Sequence, residues 1–338
     1  MKPLAVQAVG AVTPVGGDAS ATIAGLYTDM RLLRDLTVKQ PDGQPMIGAT
    51  TPVGMESTGS KRLFELGSCA FHDATRTLGD GAEVGLALCA PSIENEGELT
   101  TEFPTFCSRL ASKTNLKILP AASRIFPSGR DAIFEALSFA QTALRTQAAP
   151  AMCLLGIDSL VARTRLRRLV RNGVTAREGF IPGEAGAAVL LTERSDADSL
   201  AIISGLGTAD EPSIAVASAV PNLGKGFGAA IESAALDARL PKVPITGLVH
   251  DLPTSPTAYE ELAWAKGCAV LNVPSDMRVL SPGFSVGEVG AAMGILALLT
   301  LAFLIDKGVV GGPGLCLFSG ESARRGAAVL LPSPYRKP

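Results

Sequence analysis

The same six residues, Gly-Ala-Ala-Val-Leu-Leu, occur twice in this chain, at 186–191 and at 326–331. In an Ala- and Leu-rich sequence such an echo says little by itself, but the segments ahead of the two copies repeat as well. An apolar helical stretch (Asp131 to Arg145) and a short strand (Met152-Cys-Leu-Leu-Gly156) precede the first copy. Another apolar helical stretch (Gly290 to Asp306) and another short strand (Leu315-Cys-Leu-Phe-Ser-Gly320) precede the second. Helix, strand, loop and strand in one order, twice, read as a tandem duplication. The seam falls in the polar run Glu193–Ser199, giving halves at 1–195 and 200–338 that share one integrated core.

The two helical stretches sharpen this. AIFEALSFAQTAL carries little charge beyond Glu135, and AAMGILALLTLAFLI carries none. A helix apolar around its whole circumference must be covered on every side. Two such helices between two sheets, with amphipathic helices outside, predict an α/β protein with a five-layer α-β-α-β-α sandwich. The predicted strands are Leu4–Val12, Val84–Ala90, Met152–Ile157, Ala187–Thr192, Ala201–Leu206, Ile245–His250 and Ala327–Leu331. Lys61 to Gly79 and Gly226 to Leu240 read as amphipathic helices. The apolar run Gly290–Ile305, broken only by Thr300, is shorter than the ~20 residues a bilayer requires, so it is expected inside protein.

Composition agrees. The 338 residues are 47% hydrophobic and 18% charged, with mean hydropathy +0.30, which suits a multilayer fold or an obligate oligomer and excludes a disordered chain. A formal net charge of −2 supplies no field to recruit nucleic acid or an anionic membrane. The N-terminal MKPLAVQAVGAVTPVGG is interrupted by Gly10, Pro14 and Gly16–Gly17, and reads as strand and turn rather than as a secretory signal. Cys69, Cys89, Cys107, Cys153, Cys268 and Cys316 are scattered, and only His72 and His250 could join them, so no metal site is expected. A reduced, cytoplasmic protein is the expectation. No lysine and hydroxyl follow the glycines near Gly129 and Gly183, so no nucleotide or other cofactor is expected.

Four segments, in order, carry a resemblance. They are Val12-Thr13-Pro14-Val15-Gly16, Gly156-Ile157-Asp158-Ser159, Gly179-Phe-Ile-Pro-Gly-Glu-Ala-Gly-Ala-Ala188 and Gly287-Glu288-Val289-Gly290-Ala291-Ala292-Met293-Gly294. With them the chain resembles the thiolase superfamily, specifically the β-ketoacyl-acyl-carrier-protein synthases, over nearly its whole length. The resemblance implies the thiolase-like five-layer sandwich. It also implies a cysteine at the start of the first central helix that accepts an acyl group, and two histidines from the second half. Such chemistry needs a thiolate activated at a helix N-terminus and donors for an oxyanion.

Matched position by position, this chain departs from that set. Counting back from Gly156 places Arg130 at the nucleophile position, whereas a two-residue slip places Ser128 there. His250 matches the first histidine and Thr254 the end of its motif; Glu288 stands at the second histidine and Gly283 at the family's lysine. Phe318-Ser319-Gly320-Glu321 stands where the resemblance puts a gate loop, so Thr254, Phe318 and Gly320 are the implied substrate-binding positions. By that geometry Arg130 and Glu288 face each other from the starts of the two central helices. A bidentate ion pair there would fill the pocket, with His250 nearby. The alternative turns Arg130 to solvent, with the register off by one helical turn.

The remaining features have plainer readings beside the functional ones. His72 is expected to be structural or exposed, and Cys153 and Cys316 are expected in the core. The basic run Arg163–Arg171 is either a docking face for an acidic carrier protein or a solvated helix packing Leu166, Leu169 and Val170. Three functions follow from the resemblance. The first is a non-catalytic accessory or scaffold protein, in the manner of a chain-length factor or a secretion-effector-associated homologue. The second is a surviving acyltransferase using Ser128 or His250, and the third a binder of acyl chains or coenzyme A without turnover. A homodimer is expected, with acyl carrier protein, acyl-coenzyme A or another protein as partner, and with neither nucleic acid nor membrane.

Overall fold

The alternating run at the N-terminus forms strand β1 (Leu4–Val12), and Asp18 then caps helix α1 (Ala19–Tyr27) through the Ala21 N–H at 2.7 Å. The computed structural model describes residues 2–53, 57–174, 179–215, 222–240, 244–268, 277 and 279–335. A hairpin, β2 (Leu33–Lys39) and β3 (Pro45–Ala49), turns at Pro41-Asp42-Gly43, where Gly43 adopts a φ of +83°. Helix α2 (Gly59–Thr75), strand β4 (Glu83–Cys89) and helix α3 (Ile93–Thr114) follow, then the short edge strands β5 (Lys117–Ile118) and β6 (Arg124–Phe126). Helix α4 (Ala132–Arg145), strand β7 (Met152–Ser159), helix α5 (Arg163–Arg171) and strand β8 (Glu184–Thr192) complete the first half.

The second half runs β9 (Ala201–Asp210), α6 (Pro212–Ala215), α7 (Lys225–Asp237), β10 (Gly247–His250), α8 (Pro256–Cys268) and β11 (Val279–Leu280). It ends with α9 (Pro282–Val286), α10 (Met293–Asp306), β12 (Gly314–Ser319) and β13 (Arg324–Pro332). The large sheet is ordered β11-β10-β12-β13-β9-β1-β8-β7-β4, with β5 and β6 both pairing with β4. Taking β6 and β11 as the third strands, each half has the order third, second, fourth, fifth, first. In each half the fifth strand pairs antiparallel with both the fourth and the first. The repeated hexapeptide is therefore the fifth strand both times: Gly186 stands opposite Val12, and Gly326 opposite Thr208.

Three cores separate the layers. The central one gathers α4 and α10 between the sheets, a second lies under α2 and α3, and a third under α7 and α8. The result is the thiolase-like five-layer α-β-α-β-α sandwich. Its two sheets are continuous, because β1 and β9 pair over Leu4–Val6 and fold one sheet around the central helices. Helix α10 is buried along nearly its whole length, and its one internal hydroxyl, Thr300, donates back to the Leu296 carbonyl at 2.6 Å. No helix among the described residues is long and apolar enough to cross a membrane. Helix α4 departs from expectation. Glu135, Ser138 and Thr142 form an exposed stripe beside the edge strand β6, so α4 keeps one face open while the rest of it is buried.

The halves also repeat a contact between strand and outer helix. A Cβ on Gly10 would lie 2.1 Å from the Ala70 carbonyl oxygen, and one on Gly205 2.2 Å from that of Ala234. One residue further along each strand, the N–H of Ala11 donates to Asp73 and that of Leu206 to Asp237. Helix backbone meets strand backbone here, and neither yields easily. Gly205→Ala is therefore expected to cost about 1–3 kcal/mol, seen as a lower urea midpoint at unchanged slope. Gly17→Ala, with open space at its Cβ, serves as the neutral comparison.

Candidate functional site

The start of α4 is a single 3-10 turn, Gly129–Asp131, entered through Gly129 at φ +60°. Helix α10 begins in the same way, with Gly290–Ala292 entered through Gly290 at φ +49°. Directly before it, Glu288 is held in line with the segment Ile181–Gly183. Its N–H donates to the Ile181 carbonyl at 2.6 Å, and its carbonyl accepts from the Gly183 N–H at 2.7 Å. Gly287, at φ +72°, lets these two glycine-bearing segments meet, because a Cβ there would lie 2.6 Å from the Ile181 oxygen. Two of the segments that carried the resemblance are thus one piece of packed backbone.

Arg130 and Glu288 are brought together by this framework. Arg130 Nη1 donates to Glu288 Oε1, and both residues are at least nine-tenths buried, at 6% and 9% exposure. The pair is not bidentate. The rest of the guanidinium fork is spread over three other acceptors: Nε donates to the Ser319 carbonyl at 3.1 Å, and Nη2 donates to Ser319 Oγ at 2.7 Å and to the Asp251 carbonyl. The Asp251 carboxylate lies 3.3 Å from Nη2 and accepts from Ser319 N–H and Oγ at 2.6 and 2.9 Å. Its other oxygen, Oδ2, is buried with no partner among the described residues.

Charge balance in this cluster is uneven. One guanidinium faces two buried carboxylates. Burial works against the charge of Arg130, but Glu288 and Asp251 outweigh it and raise its pKa. Burial also raises the pKa of Glu288 and of Asp251, offset only in part by Arg130 and, for Asp251, by the Ser319 donors and Arg325. A cation at a helix N-terminus is unfavourable in the dipole field, so these acceptors are what hold Arg130 there.

His250 lies beside this cluster without bonding to it. Along β10 the side chains alternate: Val249 belongs to the central core and Leu248 to the outer one under α7 and α8. Alternation sends His250 outward with Leu248, where its ring meets Tyr259 of α8 edge-on at 5.9 Å, and sends Asp251 inward to Arg130. His250 is therefore near the cluster, within reach of the Arg130 charge, but its ring takes the other face of β10. Asp251, assigned no role in the sequence reading, occupies the inward position.

The remaining candidates hold the framework. Ser128 is partly exposed, and its Oγ lies 3.4 Å from Glu135 Oε1. Thr254 Oγ1 donates to the Gly179 carbonyl at 2.9 Å, and Phe318 is a core residue packed edge-on against Phe134. A Cβ on Gly320 would collide with Asp131, whose carboxylate accepts from Glu321 N–H, Ser322 N–H and Ser322 Oγ at 2.9–3.3 Å. Arg130 and Asp131 together thus clamp the 319–322 loop onto the start of α4. Gly283 sits in the short helix α9, packed near Met293. Cys89, Cys153 and Cys316 are core thiols whose pKa burial drives far up, and burial pushes Cys107 up to about 11. The side chain of Cys268 lies outside the described residues. His72 is exposed on α2. In α5, Leu166 is buried against Val38 and Met46 with Leu169 and Val170 beside it, while Arg165 pairs with the buried Asp158 at 2.7 Å.

A second buried ion pair lies under the hairpin. Arg62 of α2 donates to both oxygens of Glu184, at 3.1 Å from Nε and 2.5 Å from Nη2, and Ser159 Oγ donates to Oε2 at 2.9 Å. Glu184 belongs to the strongest matching segment, yet the sequence carried no signal for its partner 122 residues away.

No family model and no curated protein matches the sequence. Solved structures do. A type II polyketide acyl-carrier protein in complex with its ketosynthase matches with a TM-score of 0.79 at 14% identity, covering 98% of this chain and 99% of that one. The ishigamide ketosynthase/chain length factor matches at 0.73 and 16% identity, with the same coverages. A ketosynthase from module 6 of the bacillaene synthase of Bacillus subtilis matches at 0.72 and 13%, covering 99% of this chain and 72% of that one. Identities this low speak for architecture alone: the chain has the thiolase-like fold of the ketosynthases, with an arginine–carboxylate cluster at the start of its central helices.

Proposed function

We propose that this protein acts by binding rather than by turnover, as an accessory or scaffold protein on a ketosynthase fold. The observation that carries the reading is the set of contacts around Arg130. Condensation through a covalent acyl-enzyme needs a thiolate at a helix N-terminus. A guanidinium has only donors and offers no nucleophile. Its clamp on the 319–322 loop supports a filled pocket. Ser128 has no imidazole bonded to it, and its one side-chain contact among the described residues is a long one, 3.4 Å to the Glu135 carboxylate, so it lacks a Ser–His pairing.

The partners in this reading are proteins. The carrier-protein complex and the ketosynthase/chain length factor among the structural neighbours support a carrier protein or a second subunit. The open edge of β6 beside the exposed stripe of α4 supports pairing with another chain, a homodimer in the simplest case. Exposed Arg163 and Arg167 on α5 offer a basic face to an acidic partner.

One mass-spectrometric experiment tests both parts. After incubation with hexanoyl-coenzyme A and hexanoylated acyl carrier protein, the denatured mass is expected to stay unchanged. A gain of one hexanoyl group mapped to Ser128 overturns the reading. Sprayed natively without additions, the protein is expected at twice the 34.7 kDa chain mass, and a purely monomeric species removes the homodimer.

A further inference from the structure

The outward turn of His250 places it in a cavity that the ion-pair cluster does not use. The cavity has a volume of about 390 Å³ and opens between α8, β11 and α9. Tyr259, Leu262 and Phe284 supply apolar walls. Arg31 stacks on the Phe284 ring at 3.2 Å from its centroid and so fixes that wall. The polar lining is dominated by donors. His250 is 1% exposed, and its Nδ1 accepts the Leu252 N–H at 3.2 Å, which leaves the proton of the neutral ring on Nε2. No acceptor among the described residues takes that Nε2–H. Ser281 Oγ is buried without a partner among the described residues. Among the described residues Lys266, at the rim, has no ion pair and Asp29 is the one carboxylate on the lining.

A buried hydroxyl left without a partner among the described residues is uncommon and calls for one from outside, and His250, which lines the same cavity, adds its Nε2–H beside it. An apolar pocket with a few convergent polar groups is the usual form of a small-molecule site. We infer that this cavity binds a small monocarboxylate with an apolar body, its carboxylate accepting from His250 Nε2–H and Ser281 Oγ–H and facing Lys266. The site lies on the opposite face of β10 from Arg130 and stands independently of the accessory reading.

With two histidines in the chain, protein labelled with [13Cε1]histidine has two resonances of interest, and exposed His72 serves as the internal control. Titration with octanoate is expected to shift the His250 signal saturably and leave His72 in place. In Ala263→Phe, at an exposed helix position lining the mouth, the shift is expected to vanish. Lys266→Met is expected to weaken octanoate roughly tenfold, in line with loss of a charge-assisted contact. A His250 signal unmoved by millimolar octanoate overturns the site, as does an equal shift in Ala263→Phe. Binding of 1-octanol as tight as that of octanoate overturns the carboxylate assignment.

Discussion

Arg130→Met is expected to destabilise the folded protein by about 3–5 kcal/mol, the range for breaking a buried charge pair by removing one partner. The argument rests on what stays behind. Glu288 and Asp251 would lose the guanidinium they share, and the carbonyls of Asp251 and Ser319 would lose their donor. A methionine fills similar volume, so the loss reports charge and hydrogen bonding rather than a cavity. Glu288→Gln is expected to cost less, because Asp251 remains to balance the guanidinium. Arg130→Lys should recover only part of the loss, since one ammonium cannot reach the acceptors spread across the fork. Urea unfolding of the three variants gives the comparison. An Arg130→Met variant within 1 kcal/mol of wild type would mean that the cluster is solvated and no plug.

The second large effect is a loss of stability in acid traceable to His250. Burial, and then the nearby charge of Arg130, push its pKa down to about 4. In the unfolded chain it titrates near the ordinary value, about 6.5. Between those values the unfolded state binds a proton that the folded state refuses, so stability falls as pH falls. The neutral ring's contribution is complete above about pH 6.5 and is lost on the way down to about 4. Relative to His250→Gln, the wild type is expected to lose about 3 kcal/mol between pH 7 and pH 4. Taking the difference between the two proteins cancels the carboxylates that titrate in the same range. A difference that stays flat across the window would show the ring to be reachable by protons in the native state.

Much of the architecture was legible in the residues. The hexapeptide echo fell on the fifth strand of each half, and the uncharged run Met293–Ile305 became the helix around which the sheet closes. The glycine-bearing segments marked places where backbone meets backbone. Other signals were present and went unused. Glu135, Ser138 and Thr142 are spaced at three and four residues, a polar stripe that foretells an open face on α4. Pro41-Asp42-Gly43 is a turn signature between two strand-like runs, and it marks the hairpin that the sequence reading omits. Alternation along Gly247–Asp251 would have sent Asp251, not His250, toward the central helices.

By itself, then, the sequence determined the layers and the order of strands in the two halves and singled out Arg130, because periodicity, composition and residue identity are local properties. Tertiary structure alone decided what Arg130 touches. Its acceptors come from positions 121, 158 and 189 residues along the chain, on three different segments. No local pattern couples residues so far apart. Their meeting depends on the fold of the whole sheet and on which face of a strand each side chain takes.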